Sequence, residues 1–149
     1  MVNEICVLKK AFKKCDYEKI VSILEKNDFS YTLNNLVGIF PKCDSKSLYL
    51  FLMYSISKKE TTEKHITACE CLLYIEPYVY EANNLIRWHI MRALESKSNL
   101  HQIMSWVIEV FGADPSSPFT KEEISLFAKT VFENDKTNEI AKAILLSGQ

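Results

Sequence analysis

Glycine and proline are scarce in this sequence, and the few glycines stand far apart. The chain of 149 residues has three glycines, Gly38, Gly112 and Gly148, and four prolines. A phosphate-binding loop and the nucleophile turn of a hydrolase both need closely spaced glycines, so neither motif can be drawn. With 48% hydrophobic residues, the chain is not of the disordered or low-complexity kind either. The composition indicates a packed, ordered protein.

A large excess of charge of one sign is also lacking, since the net charge is −1. Direct nucleic-acid binding is not expected, because a general binder needs a strongly basic surface to displace counterions from phosphates. The lysines at positions 9, 10, 13 and 14 have the spacing of a solvated helix face. Residues 1–64 carry a charge of +3 and residues 65–149 a charge of −4. The second half is therefore the better candidate to meet a basic partner.

Long apolar runs are absent as well. The longest, from Leu48 to Tyr54, is far shorter than the ~20 residues that cross a bilayer. Five cysteines cannot all pair, and the first residues lack the pattern of a signal peptide. We therefore expect no membrane span and a reducing, cytoplasmic location. The oligomeric state is not indicated.

Apolar residues recur at helical spacing through most of the chain, and no segment alternates with the period of a strand. Asp16, Pro41 and Pro77 separate helical segments as a cap or a break. Because short connections favour antiparallel neighbours, the sequence predicts an all-α fold. We expect about eight or nine antiparallel helices, stacked as helical hairpins in one solenoid-like domain over residues 1–149. The first seven predicted helices cover about 4–15, 17 to at least 24, 31–40, 45–57, a segment capped by Thr61 or Thr62 and reaching 76, 78–95 and 99–111. An eighth follows Thr120 and a last one follows Thr137.

Several local features are predicted with these helices. The run Leu48–Tyr54 is apolar on every side, so we expect a helix in the middle of the fold, with a buried strand as the competing interpretation. Gly112 is placed to end a helix as a left-handed cap. Thr120-Lys-Glu-Glu123 matches the capping box that begins a helix. Residues expected to face inward include Cys15 near the start, Ile124, Phe127, Ala128 and Val131 in the eighth helix, and Ile140, Ile144 and Leu145 in the last.

No constellation of catalytic or metal-binding residues is found. His65 and Cys69 share a helix face with Cys71 nearby, but a structural zinc site needs about four ligands, and a second pair is missing. His89 falls on an inward stripe, which is typical of a core histidine. Glu122 and Glu123 are adjacent, about 100° apart on a helix, so they are poor partners for acid–base chemistry. We expect neither an enzyme nor a cofactor.

One predicted helix, residues 78–95, has an unusual outward stripe. Its inward positions are apolar, while the opposite side carries two large apolar residues among polar ones. An exposed Trp beside a Met is a common protein-binding anchor. The alternative is that a neighbouring hairpin covers the Trp, and the sequence leaves both possibilities open. The stripe consists of Glu81, Asn84, Trp88, Met91 and Glu95.

A set of residues in the second half resembles a known family pattern. The set is Cys71-Leu-Leu-Tyr74, Tyr80-Glu-Ala82, His89, Arg92-Ala-Leu-Glu95, Trp106-Val-Ile-Glu-Val-Phe111, Pro115 and Glu122-Glu123. It is similar to small helical immunity proteins of bacterial polymorphic and contact-dependent growth-inhibition toxin systems. The resemblance covers residues 65–149 and lies in core and capping positions.

The resemblance implies a cytosolic protein that binds one cognate toxin domain and blocks its active site. Many such toxins are nucleases with basic clefts, so acidic and aromatic side chains are the expected contacts. The predicted contact residues of this chain are chosen by their expected exposure and charge, and not by the family pattern. They are Tyr78, Tyr80, Glu81, Asn84, Trp88, Met91, Asp114, Glu122 and Glu123. The alternative function is a helical-repeat adaptor or regulator that binds a peptide or a partner helix in a groove.

Overall fold

The structure, a computed structural model, describes residues 2–26, 45–75, 81–97 and 99–147. Within these ranges it has eight helices and no strand, which confirms the all-α prediction. None of these eight helices is long and apolar enough to cross a bilayer. The predicted helix at 31–40 lies outside the described residues. The helices are α1 (Val2–Lys13), α2 (Tyr17–Leu24), α3 (Ser45–Lys58), α4 (Thr62–Ile75), α5 (Ala82–Glu95), α6 (Leu100–Phe111), α7 (Lys121–Asn134) and α8 (Glu139–Ser147).

Residue contacts divide the chain into two compact units, Met1–Ala82 and Asn83–Gln149. In the first unit α1 packs on α2 and α3 packs on α4. In the second, α7 packs on both α6 and α8. Consecutive helices are therefore neighbours inside each unit, as short connections favour. The single domain over residues 1–149 stays a prediction.

The core of the first unit forms around α3. Phe51 is fully buried, and its ring meets those of Phe12 and Tyr17 edge-on, at centroid distances of 5.3 and 5.8 Å. The apolar run is thus a helix and not a strand. Not every residue of the run is buried, however, because Leu50 is 59% exposed. Helix α3 buries only one of its sides in the core of this unit, and Leu50 lies on the opposite side.

The first helix ends two residues earlier than predicted. Cys15 has a φ of 53°, a left-handed conformation that cannot continue a helix. The Asp16 N–H donates to the Ala11 carbonyl at 3.0 Å, and the Cys15 N–H donates to the Phe12 carbonyl at 3.0 Å. This is the paired bonding of a Schellman cap. Cys15 is therefore exposed, and its predicted inward position is wrong.

The start of α7 follows the predicted capping box. The Glu123 N–H donates to Thr120 Oγ1 at 3.2 Å, and the Thr120 N–H donates to the Glu123 carboxylate at 2.9 Å. Two of the backbone donors that any helix start leaves unpaired are satisfied in this way. The predicted inward residues of this helix are buried: Ile124, Phe127, Ala128 and Val131.

Two predictions near the chain end are wrong. Gly112 has a right-handed φ of −61°, so it is not a left-handed cap. The lack of room for a side chain explains the glycine instead, since an added Cβ would lie 2.3 Å from the Ile108 carbonyl oxygen and 2.9 Å from Ile144 Cδ1. In α8 it is Ala141 that is fully buried, while Ile140 is 43% exposed. A small residue at the inner position allows α8 to approach α6 and α7 closely.

Candidate functional site

Helix α5 has one buried and one exposed side. Ile86, His89, Ile90 and Ala93 have no exposed surface. At about 100° per residue, positions 84, 88, 91 and 95 fall within one narrow sector on the opposite side. These four residues are all exposed, and we call them the outer face of α5: Asn84, Trp88, Met91 and Glu95.

Two large apolar side chains lie on this outer face. Trp88 is 47% exposed and Met91 is 40% exposed. The Trp88 ring stands edge-on to the ring of the buried His89, with centroids 4.7 Å apart. Of the two possibilities left open by the sequence, the structure shows the exposed one.

Arg87 ties the loop before α7 to α5. Its guanidinium donates two bonds to the Glu123 carboxylate, at 2.6 and 2.7 Å, and a third to the Pro118 carbonyl at 3.2 Å. It also lies over the Phe119 ring, 5.4 Å from the centroid. One turn earlier, Asn83 donates to the Ser116 carbonyl at 2.9 Å. The loop is thus held along the flank of the outer face.

Glu123 belongs to this internal network. The Arg87 bond and the Thr120 backbone bond lower the pKa of its carboxyl to about 2. Both carboxylate oxygens already accept hydrogen bonds from within the chain. The structure shows that Glu123 fixes α7 and the loop, and its predicted contact with a partner stays a prediction.

The second arginine of α5 is also paired. Arg92 Nη1 donates to the carboxylate of Glu95, three residues later on the same helix. Consequently both arginines that flank the outer face are paired with glutamates of the chain. Besides these pairs, the outer face presents the exposed Trp88 and Met91, with the polar Asn84 and Glu95 at its two ends.

Asp114 and Glu122 are exposed acids. The Asp114 carboxylate accepts bonds from the backbone N–H and the hydroxyl of Ser116, both at 2.8 Å, and these bonds lower its pKa. The pKa of Glu122 is lowered chiefly by a backbone bond in the first turn of α7. Both side chains are therefore ionised at neutral pH.

The other predicted contacts are at the start of the sixth predicted helix. Tyr78 and Tyr80 lie outside the described residues. Glu81 is exposed, with a φ of 67°, and it immediately precedes α5. A left-handed residue at this position cannot continue a helix, which explains why α5 begins directly after it, at Ala82.

The residues weighed as metal ligands in the sequence are deeply buried. Cys69 and Cys71 have no exposed surface, and desolvation raises the pKa of the Cys71 thiol to about 12 and that of Cys69 further. Such thiols stay protonated and unreactive at neutral pH. His65 is buried too, with its Nε2 2.9 Å from a Glu60 carboxylate oxygen. In the described part of the chain, no three His, Cys, Asp or Glu residues are grouped to hold a metal ion.

The predicted charge asymmetry does not follow the structural units. The division after residue 64 cuts through α4. The unit Met1–Ala82 has 11 basic and 11 acidic residues, whereas Asn83–Gln149 has seven basic and eight acidic residues. Each unit is therefore close to neutral. Local placement of charges, and not net charge, must provide any electrostatic selectivity.

Sequence reasoning missed Asn83 and Arg87, because their partners are 31 to 36 residues away along the chain. The sequence does show an arginine beside the apolar side of a predicted helix, but this pattern does not show which residue the arginine pairs with. No protein-family model matches the chain, and no curated protein or solved structure is significantly similar to it.

Proposed function

We propose that this chain is a cytoplasmic immunity protein that binds a cognate toxin domain and blocks its active site. The observation that carries the proposal is the outer face of α5, where Trp88 and Met91 are exposed on a helix whose other side is fully buried. The resemblance of residues 65–149 to immunity proteins supports the same function.

The exposure of Trp88 and Met91 favours binding to a protein. Trp is among the residues that most often dominate binding energy, and a neighbouring Met adapts to irregular partner surfaces. A partner pocket that covered the indole would remove its remaining apolar surface from water. Burial of such an anchor contributes roughly 2 kcal/mol or more to a complex.

The polar surroundings favour selective docking of this face. Arg92 is paired with Glu95, so a partner that covers Trp88 does not have to bury an unpaired arginine. Asp114 and Glu122 are ionised, and they supply the negative charge expected opposite the basic cleft of a nuclease toxin. The partner of this proposal is therefore a protein with a basic surface and an apolar pocket.

The experiment is co-expression with the polypeptide encoded by the neighbouring gene. We expect the two proteins to co-purify, and the chain to restore growth to cells that make the toxin. Absence of both effects would refute the proposal. A partner that is not a toxin would instead make the chain an adaptor, and inspection of the neighbouring genes distinguishes the two.

The outer face is tested with two matched variants. Trp88→Ala should weaken binding by roughly 30-fold or more, which corresponds to about 2 kcal/mol. Leu126→Ala is the control, since Leu126 is a comparably exposed apolar residue, at 60%, on a different helix and is not part of the outer face. It should bind like the wild type. Equal affinity of both variants would exclude Trp88 as the anchor, and a large stability loss in free Trp88→Ala would show that the indole supports the fold.

A further inference from the structure

A cleft of about 530 Å³ opens in the second unit between the end of α6, the loop after it, the start of α7 and the end of α8. This volume is within the range of roughly 300–1,000 Å³ found for ligand sites. Phe111 and Phe119 line it with their rings 5.8 Å apart between centroids, and Ile124 and Ile144 complete the apolar lining. The Arg87 and Asn83 bonds hold its loop wall in place. The cleft is therefore preformed and not created by a ligand.

The electrostatics of the cleft favour a cation. Helices α6 and α8 both end at it, at Phe111 and Ser147, and each carboxyl end carries roughly half a negative charge. Asp114 adds a full negative charge at the rim. The aromatic ring of Phe111 also attracts cations, whereas a face of Phe119 is already covered by the Arg87 guanidinium.

Two positive groups of the lining work in the opposite direction. The first is the amino end of α7, but Glu122 and Glu123 in its first turn, with the capping box, largely compensate its dipole. The second is Lys121, an exposed side chain that forms no ion pair with Asp114. Its long stem allows the ammonium to remain in water, away from the apolar lining. The balance is therefore anionic at the Asp114 side of the cleft.

We propose that this cleft binds an arginine side chain of the partner protein, with the guanidinium at Asp114 and the stem along Phe111 and Ile144. A planar guanidinium suits both a carboxylate and an aromatic lining, and it is weakly hydrated. Identification of the arginine as part of a toxin domain rests on the proposed function. The binding of an arginine side chain in the cleft does not rest on the proposed function.

The test uses the full chain and two small probes of nearly the same shape, of which only the first is charged. Nα-acetyl-arginine methylamide and Nα-acetyl-citrulline methylamide are titrated into ¹⁵N-labelled protein while the amide signals of Ala113, Ser117 and Ser125 are followed by NMR. We expect saturable shifts with the arginine probe. The citrulline probe should bind about twofold to fivefold more weakly, which is the range for an exposed ion pair. Equal binding of the two probes, or no saturable shift, would overturn the proposal.

The chain contains a matched control for Asp114. Asp135 is also a turn carboxylate, of intermediate exposure, that accepts the N–H and the hydroxyl of the residue two positions later, here Thr137. Asp114→Asn should weaken the arginine probe by about twofold to fivefold, and Asp135→Asn should leave it unchanged. The assignment fails if the two variants behave alike. If the probe binds but the neighbour-encoded protein neither co-purifies with the chain nor is neutralised by it, the proposed function fails while the cleft chemistry stands.

Discussion

Replacement of Glu123 by Gln tests the network that fixes the second unit. The variant keeps the shape and removes the charge of the Arg87 pair. A folded-state pKa of about 2, compared with an ordinary value of 4.5, corresponds to roughly 3.5 kcal/mol at most. Because the Glu123 and Arg87 side chains are 28% and 36% exposed, water screens the pair, and we expect about 1–2 kcal/mol. This contribution is fully present above pH 4.5 and is lost as the pH falls toward 2.

Urea denaturation followed by tryptophan fluorescence measures this contribution. Trp88 and Trp106 are the only tryptophans, and both belong to Asn83–Gln149, so the signal reports on the second unit. At pH 7 Glu123→Gln should be less stable than the wild type by about 1–2 kcal/mol, and the difference should nearly vanish at pH 2. Glu133→Gln, an exposed change on the same helix, should have little effect at either pH. A difference between Glu123→Gln and wild type that is constant with pH would refute the reasoning.

Three further substitutions are predicted from the packing. Gly112→Ala should lower the free energy of unfolding by about 1–3 kcal/mol, measured by urea denaturation, because of the Cβ clash; a gain in stability would contradict the clash. Phe51→Ala should cost about 3–5 kcal/mol in thermal unfolding followed by circular dichroism, whereas the exposed Leu50→Ala should change little; similar losses would show that the burial pattern is wrong. Thr120→Ala should cost about 1 kcal/mol in urea through loss of the cap, and Thr130→Ala, in the middle of the same helix, should cost less; the reverse order would exclude the capping role.

The helices were predictable because their signals are local. The capping box at Thr120 and the N-cap at Asp16 depend on residues three positions apart, and both are found as expected. Errors arose where tertiary packing decides. The burial of Ala141 in place of Ile140 depends on how closely other helices approach, and spacing alone does not contain that distance.

The candidate site was predictable to the same extent. Helical spacing placed Asn84, Trp88 and Met91 on one face, since that needs only the geometry of a single helix. Whether another helix covered Trp88 was a question of tertiary structure, and the sequence could not answer it. The partnership of Arg87 with Glu123 joins residues 36 positions apart, so their charges were visible but their contact was not.

The double use of Glu123 has a consequence for cooperativity. One carboxylate caps the first turn of α7 and also binds Arg87 of α5, so the local ordering of one helix and the docking of another strengthen each other. Substitutions at Thr120 and Arg87 should therefore be non-additive, although neither residue is near the other in sequence. The same coupling constrains sequence change: an Asp at this position, one methylene shorter, would have to give up one of the two contacts.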